Sequence, residues 1–93
     1  MMSNDLVRRR VVVRGRVQGV FFRDSMRERA GAHGVCGWVR NRSDGALEGV
    51  LEGPEEAVER VLRFARTGPP SASVTDVEVT EEQPEGLRGF EVR

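Results

Sequence analysis

The chain has 93 residues, 38% hydrophobic and 32% charged, with fifteen basic residues, all arginine, against fifteen acids and a formal net charge of zero. That length holds one hydrophobic core and not two. A single cysteine, Cys36, excludes a disulfide scaffold, one histidine and one cysteine cannot build a Cys/His zinc centre, and no apolar run approaches the ~20 residues of a membrane span. No secretory signal is visible at the N-terminus, so a reducing, cytoplasmic setting is expected.

Residues 1–5 read as a flexible tail and residues 6–93 as one domain. From Leu6 to Arg14 the pattern is that of a half-buried strand, with Val11 and Val13 on one face and Arg10, Val12 and Arg14 on the other. The glycine-bearing stretch Gly15 to Val20 breaks that alternation. A helix is predicted over Phe21 to His33, carrying Phe22, Met26 and Ala30 on one face and Gly34 as its C-terminal stop. Strands are predicted over Val35 to Asn41 and Leu47 to Glu52, joined by a hairpin at Asp44-Gly45.

The second helix begins at Pro54, placed at its first helical position. Its acids Glu55, Glu56 and Glu59 come first and Arg60, Arg63 and Arg66 last, as the helix dipole favours, with Glu56–Arg60 and Glu59–Arg63 at i, i+4. Ala57, Val58, Val61, Leu62 and Ala65 form its apolar stripe, and Gly68-Pro69-Pro70 ends it. A strand over Val74 to Thr80, with Val77 and Val79 inward, and a short one over Phe90 to Arg93 complete the chain, with Glu81 and Glu82 solvated. The order β-α-β-β-α-β plus a terminal strand defines an α+β, ferredoxin-like split βαβ sandwich, two helices on one face of an antiparallel sheet. That fold hosts many functions.

Charge is split along the chain. Residues 1–42 carry ten arginines against three acids, a net +7, and residues 43–93 carry five against twelve, a net −7. Either an anionic partner meets the first half, or the fold interleaves the halves and the fields cancel.

Gly15-Arg16-Val17-Gln18-Gly19-Val20 feeds directly into a helix N-terminus. Such a turn aims several backbone N–H groups at one point and adds the positive end of the helix dipole, which suits an anion. It lacks the Gly-Lys-Ser/Thr ending of a Walker A loop and the spacing of a dinucleotide fingerprint, so taken alone it reads more readily as a structural turn than as a cradle. Arg23 falls in the first helical turn, where a cation opposes the dipole by roughly 0.3–1 kcal/mol. A bound anion would reverse that sign; a pairing with Asp24 is the plainer alternative. Asn41 shares the parity of Val39, on the face opposite Trp38 and Arg40; in isolation it reads as an ordinary turn residue, and the alternative is a polar group that meets the first loop. His33, Cys36 and Trp38 read as a helix-end residue, a small buried side chain and sheet packing.

Taken together, Gly15-Arg16-Val17-Gln18-Gly19-Val20-Phe21-Phe22-Arg23 resembles the first signature of the acylphosphatase family, and Gly37-Trp38-Val39-Arg40-Asn41, with Gly45 and Gly53 following, resembles the second. Leu47 stands where Val is usual, and Arg42 where some members have Thr. The resemblance spans residues 6–93. It implies hydrolysis of a small acyl phosphate to a carboxylate and inorganic phosphate, with no metal and no other cofactor. It further implies that Arg23 binds the phosphate, that Asn41 orients the attacking water, and that the loop from Gly15 to Val20 supplies backbone donors. A monomer is expected.

Similar domains open larger carbamoyl-transfer maturation proteins, so a non-catalytic module binding phosphate or carbamoyl phosphate is the alternative; a chain ending at Arg93 favours the free enzyme. The same fold underlies RNA-recognition domains, but this chain has no Tyr, and its strand faces carry Arg, Glu and Val where stacking rings belong, so no nucleic-acid partner is expected.

Overall fold

The computed structural model describes residues 6–93; the tail expected over residues 1–5 lies outside them. The elements run β1 (Leu6–Arg16), α1 (Phe22–His33), β2 (Cys36–Asn41), β3 (Leu47–Pro54), α2 (Glu55–Thr67), β4 (Ser73–Glu82) and β5 (Phe90–Val92). The sheet order is β4-β1-β3-β2-β5. Four strands pair antiparallel, and β5 lies parallel to β2 at one edge, so the sheet is mixed there rather than wholly antiparallel.

Both helices pack on one face. Val11 and Val13 of β1, Val39 of β2 and Leu47 and Leu51 of β3 meet Phe22, Met26 and Ala30 of α1 and Val58, Val61, Leu62 and Ala65 of α2 in a single buried core. The two apolar stripes read from helical spacing are therefore the two packing faces. Phe22 and Phe64 meet edge to face, with ring centroids 6.0 Å apart, and tie the helices together. Pro54 closes β3 one position before α2 instead of occupying its first turn, because its ψ of 142° is extended. Arg60 pairs with Glu56 at 3.6 Å as the spacing requires, whereas Glu55 reaches across to Arg9 at 3.8 Å. No ion pair joins Glu59 and Arg63 among the described residues.

The opposite face of the sheet is an interlocked layer of arginine and glutamate. Arg8 reaches Glu52 at 3.0 Å and Glu82 at 2.8 Å; Arg10 reaches Glu48 and Glu82, each at 2.6 Å; Arg40 reaches Glu48 at 2.7 Å. Glu82 is thus clamped between two guanidiniums rather than solvated. Trp38 stands on this face between Arg10 and Arg93, whose guanidinium carbons lie 5.6 and 4.5 Å from its ring centroid. Cys36 is half-buried, not fully enclosed.

Strand order explains the charge split. β1, which holds the arginine-rich run, lies between the acid-bearing β3 and β4, so Arg8, Arg9 and Arg10 meet carboxylates of the second half across the sheet. Arg8, Arg9, Arg10, Arg14, Arg27, Arg40 and Arg42 each meet a carboxylate. Among the described residues, Arg16, Arg23 and Arg29 have none within 4.0 Å, and Arg29 is stacked over Phe64 at 4.3 Å. No described helix is long and apolar enough to cross a membrane.

Candidate active site

β1 runs two residues further than its alternation suggests. A register shift between Arg14 and Gly15 lets Gly15 and Arg16 stay paired with Val74 and Ser73 of β4. Gly15 has φ 123°, and a Cβ there would overlap the Ser73 carbonyl oxygen, so this glycine is required by close strand contact. The connecting loop is correspondingly short, Val17 to Phe21. Val17 and Val20 are buried and anchor it in the core. Gln18 turns its side chain away from the loop: its amide nitrogen donates to the carbonyls of Arg42 at 2.8 Å and Ala46 at 3.1 Å. This couples the β1–α1 loop to the β2–β3 hairpin, the element that carries Asn41.

The hairpin is itself braced. The Asp44 carboxylate accepts the backbone N–H of Ala46 at 3.1 Å and lies 2.9 Å from an Arg42 nitrogen. The Ala46 bond first, and then the charge of Arg42, hold the Asp44 carboxyl below its ordinary range. Arg42, one of the departures from the family signatures, is thus occupied in the turn.

α1 starts without a side-chain cap. Its N-cap residue is Phe21, in the left-handed region with φ 63° and ψ 24°, and the Phe21 carbonyl accepts the first helical bond from the Ser25 N–H at 3.1 Å. The N–H groups of Phe22, Arg23 and Asp24 have no intrahelical acceptor, and with the helix dipole they make the approach to this turn electropositive.

A cavity of about 300 Å³ opens at this turn, bordered by Val17 and Gly19 of the loop, Phe21, Phe22, Arg23 and Asp24 of the helix start, Asn41 from the end of β2, and Val92 of β5. Arg23 and Asn41, eighteen positions apart, therefore face one space. Asp24 is engaged by Arg27 at 3.6 Å instead of by Arg23. Arg23 donates from Nη1 to the Arg93 carbonyl oxygen at 3.0 Å, which steadies the guanidinium without neutralising it. The Asn41 side-chain oxygen is buried with no hydrogen-bond partner in the protein, and burying such an acceptor unpaired typically costs about 1–3 kcal/mol. An uncompensated guanidinium and a side-chain amide on one cavity suit an anionic or polar ligand.

Of the residues singled out in the sequence, Arg23, Asn41, Val17 and Gly19 line the cavity. Gln18 and Val20 lie in the adjoining loop, the one positioning and the other anchoring, while Gly15 and Arg16 sit in the β1–β4 ladder. Sequence reading missed Phe21, Val92 and the Arg93 carbonyl. The last two depend on β5 lying beside β2, which nothing local signals. A larger cleft of about 580 Å³ runs between the helices, bordered by Arg29, His33, Arg60, Arg63 and Phe64 and closed by Gly68-Pro69-Pro70. Its basic groups lie toward the helix C-termini, where the dipole favours them.

A two-layer α+β domain in which an uncapped helix start, an uncompensated arginine and an asparagine side chain share one pocket is of a class equipped to receive an anion. Comparison with known proteins narrows the class. The acylphosphatase family model matches residues 9–92. A Haloquadratum walsbyi protein named acylphosphatase is 51% identical over 92 residues, covering 99% of both chains. The structure of an acylphosphatase from Coxiella burnetii superposes with a TM-score of 0.92 at 36% identity, covering all of both chains. Full-length HypF in a phosphate- and nucleotide-bound form superposes with a TM-score of 0.91 at 27% identity, over 99% of this chain but 12% of HypF. The chain belongs to the acylphosphatase family.

Proposed function

We propose that the protein hydrolyses a small acyl phosphate to a carboxylate and inorganic phosphate, with the phosphate held by Arg23 and the amides of the loop and helix start, and with the water aimed by Asn41. The observation that carries this reading is the convergence of Arg23, Gly19 and Asn41 on one cavity, where Asn41 keeps an unpaired acceptor.

The chemistry asks little of side-chain acids and bases. The leaving group is a carboxylate whose conjugate acid has a pKa of about 4, so it departs without strong protonation. Phosphoryl transfer passes through a loose transition state, stabilised mainly by positioning and by charge on the equatorial oxygens. Backbone N–H groups of the loop and first turn and the Arg23 fork meet those oxygens; the guanidinium can do so in bidentate fashion. Asn41 holds the water through its side-chain amide, in line with the bond to phosphorus. Gln18 fixes the distance between the two halves of this arrangement by binding the hairpin to the loop. Gly15 and Arg16 contribute by setting where the loop leaves β1.

The interlocked Arg–Glu layer favours a monomer with no nucleic-acid partner, because the ionic groups of the open sheet face are satisfied internally. With Cys36 as the one thiol, a cytoplasmic setting fits. No observation favours the non-catalytic module. The test is phosphate release from an acyl phosphate by purified protein in EDTA. Turnover well above the buffer rate is expected and supports catalysis by the side chains and amides named here; phosphate binding without turnover would support the module instead.

A further inference from the structure

Phe21 is the one non-glycine described residue with positive φ. It is also 78% exposed, the most exposed large apolar side chain among the described residues. A bulky L-residue in the left-handed region is strained, and a large exposed ring gains nothing from burial; backbone outliers of this kind concentrate where a ligand binds. A glycine would adopt φ 63° without strain. Phe21 borders the same cavity as Arg23 and Asn41.

In-line displacement fixes the direction in which the acyl group leaves. The attacking water and the leaving oxygen lie on opposite sides of phosphorus. Asn41, whose side-chain oxygen is buried, marks the inner side, so the leaving carboxylate and its substituent point toward the mouth. Phe21 stands at that mouth, and Val92 borders the same cavity. Resting on the hydrolytic reading above, we infer that Phe21 forms the acyl-group subsite and that the substrates taken best are acyl phosphates with an apolar, preferably flat or aromatic, acyl group. Ring-on-ring or ring-on-methylene contact removes apolar area from water on both partners, an advantage that acetyl phosphate, with its single methyl group, cannot use.

The test compares kcat/KM for benzoyl phosphate and acetyl phosphate in the wild type, Phe21→Gly and Phe21→Asn. Both replacements accept the left-handed backbone, and thermal unfolding of each variant reports that the fold is kept. The benzoyl-to-acetyl ratio is expected to fall about tenfold in both variants. An unchanged ratio, whether the two rates stay intact or decline together, overturns the subsite while leaving the hydrolytic reading in place. Failure of the wild type to hydrolyse either compound overturns both.

Discussion

Replacing Arg23 with alanine is expected to lower kcat/KM for acyl phosphate hydrolysis by about 100-fold or more, and Asn41→Ala is expected to do the same by a different route. Arg23 is one of three first-half arginines with no carboxylate within reach among the described residues, and it sits where the helix dipole opposes a cation. On the proposed reading its favourable electrostatic partner is the substrate phosphate. Its loss is then expected to weaken binding of inorganic phosphate as well as turnover. Arg23→Lys restores charge without the planar fork and is expected to recover only part of the loss. On the same reading Asn41→Ala removes the group that positions the water but leaves the phosphate donors in place, so kcat is expected to fall while product inhibition by phosphate persists. Steady-state kinetics with phosphate as inhibitor separates the two. Wild-type rates in both variants would remove these residues from the chemistry.

The largest effect on stability is expected at Glu52, remote from the site. Its buried carboxylate accepts Arg8 at 3.0 Å and the backbone N–H groups of Glu85, Gly86 and Leu87 at 2.6, 3.1 and 2.9 Å. One side chain thus closes the ladder and fastens the segment leading into β5. Glu52→Ala leaves Arg8 paired only with Glu82 and the more distant Glu85, and strands three donors. Breaking a buried pair in this way costs about 3–5 kcal/mol. Burial opposes the charge on Glu52, but the backbone donors and Arg8 outweigh it and hold the carboxyl below its ordinary value.

The folded state therefore binds this proton less readily than the unfolded chain does. The stabilisation is fully present above the unfolded pKa of about 4.3 and is lost as pH falls through the lower folded value. Urea unfolding of the wild type and Glu52→Ala across pH should show a gap that is constant near neutrality and narrows in acid. A pH-independent gap, or one below about 1 kcal/mol, would contradict this role, since losses that small are typical of surface pairs.

The elements were legible because local patterns agreed with the fold. Alternation in β1 separated Val11 and Val13 from Arg10 and Arg14, and the parity of Asn41 with Val39 placed it opposite Trp38 and Arg40. What local pattern could not supply was pairing. β5 lies parallel beside β2, so Val92 and the Arg93 carbonyl enter the site from the far end of the chain. The bulge at Gly15 kept Gly15 and Arg16 in the strand, which a glycine-based loop boundary could not reveal. Glu82 looked solvated because its partners, Arg8 and Arg10, are more than seventy positions away. The two resemblance signatures named Arg23 and Asn41; the Gln18 bridge that sets one against the other became visible only once the hairpin lay beside the loop. Phe21 carried no signal at all, since neither its left-handed backbone nor its exposure is encoded in residue type.

The convergence of loop amides, guanidinium and asparagine on one phosphate is tested most directly by titrating inorganic phosphate into the labelled protein and following its amide and side-chain resonances. The largest saturable shifts are expected at Gly19, Val20, Phe22, Arg23 and the Asn41 side-chain amide, and they should disappear in Arg23→Ala. Shifts centred on Arg29, Arg60 and Arg63 in the cleft between the helices, with the β1–α1 loop silent, would contradict it.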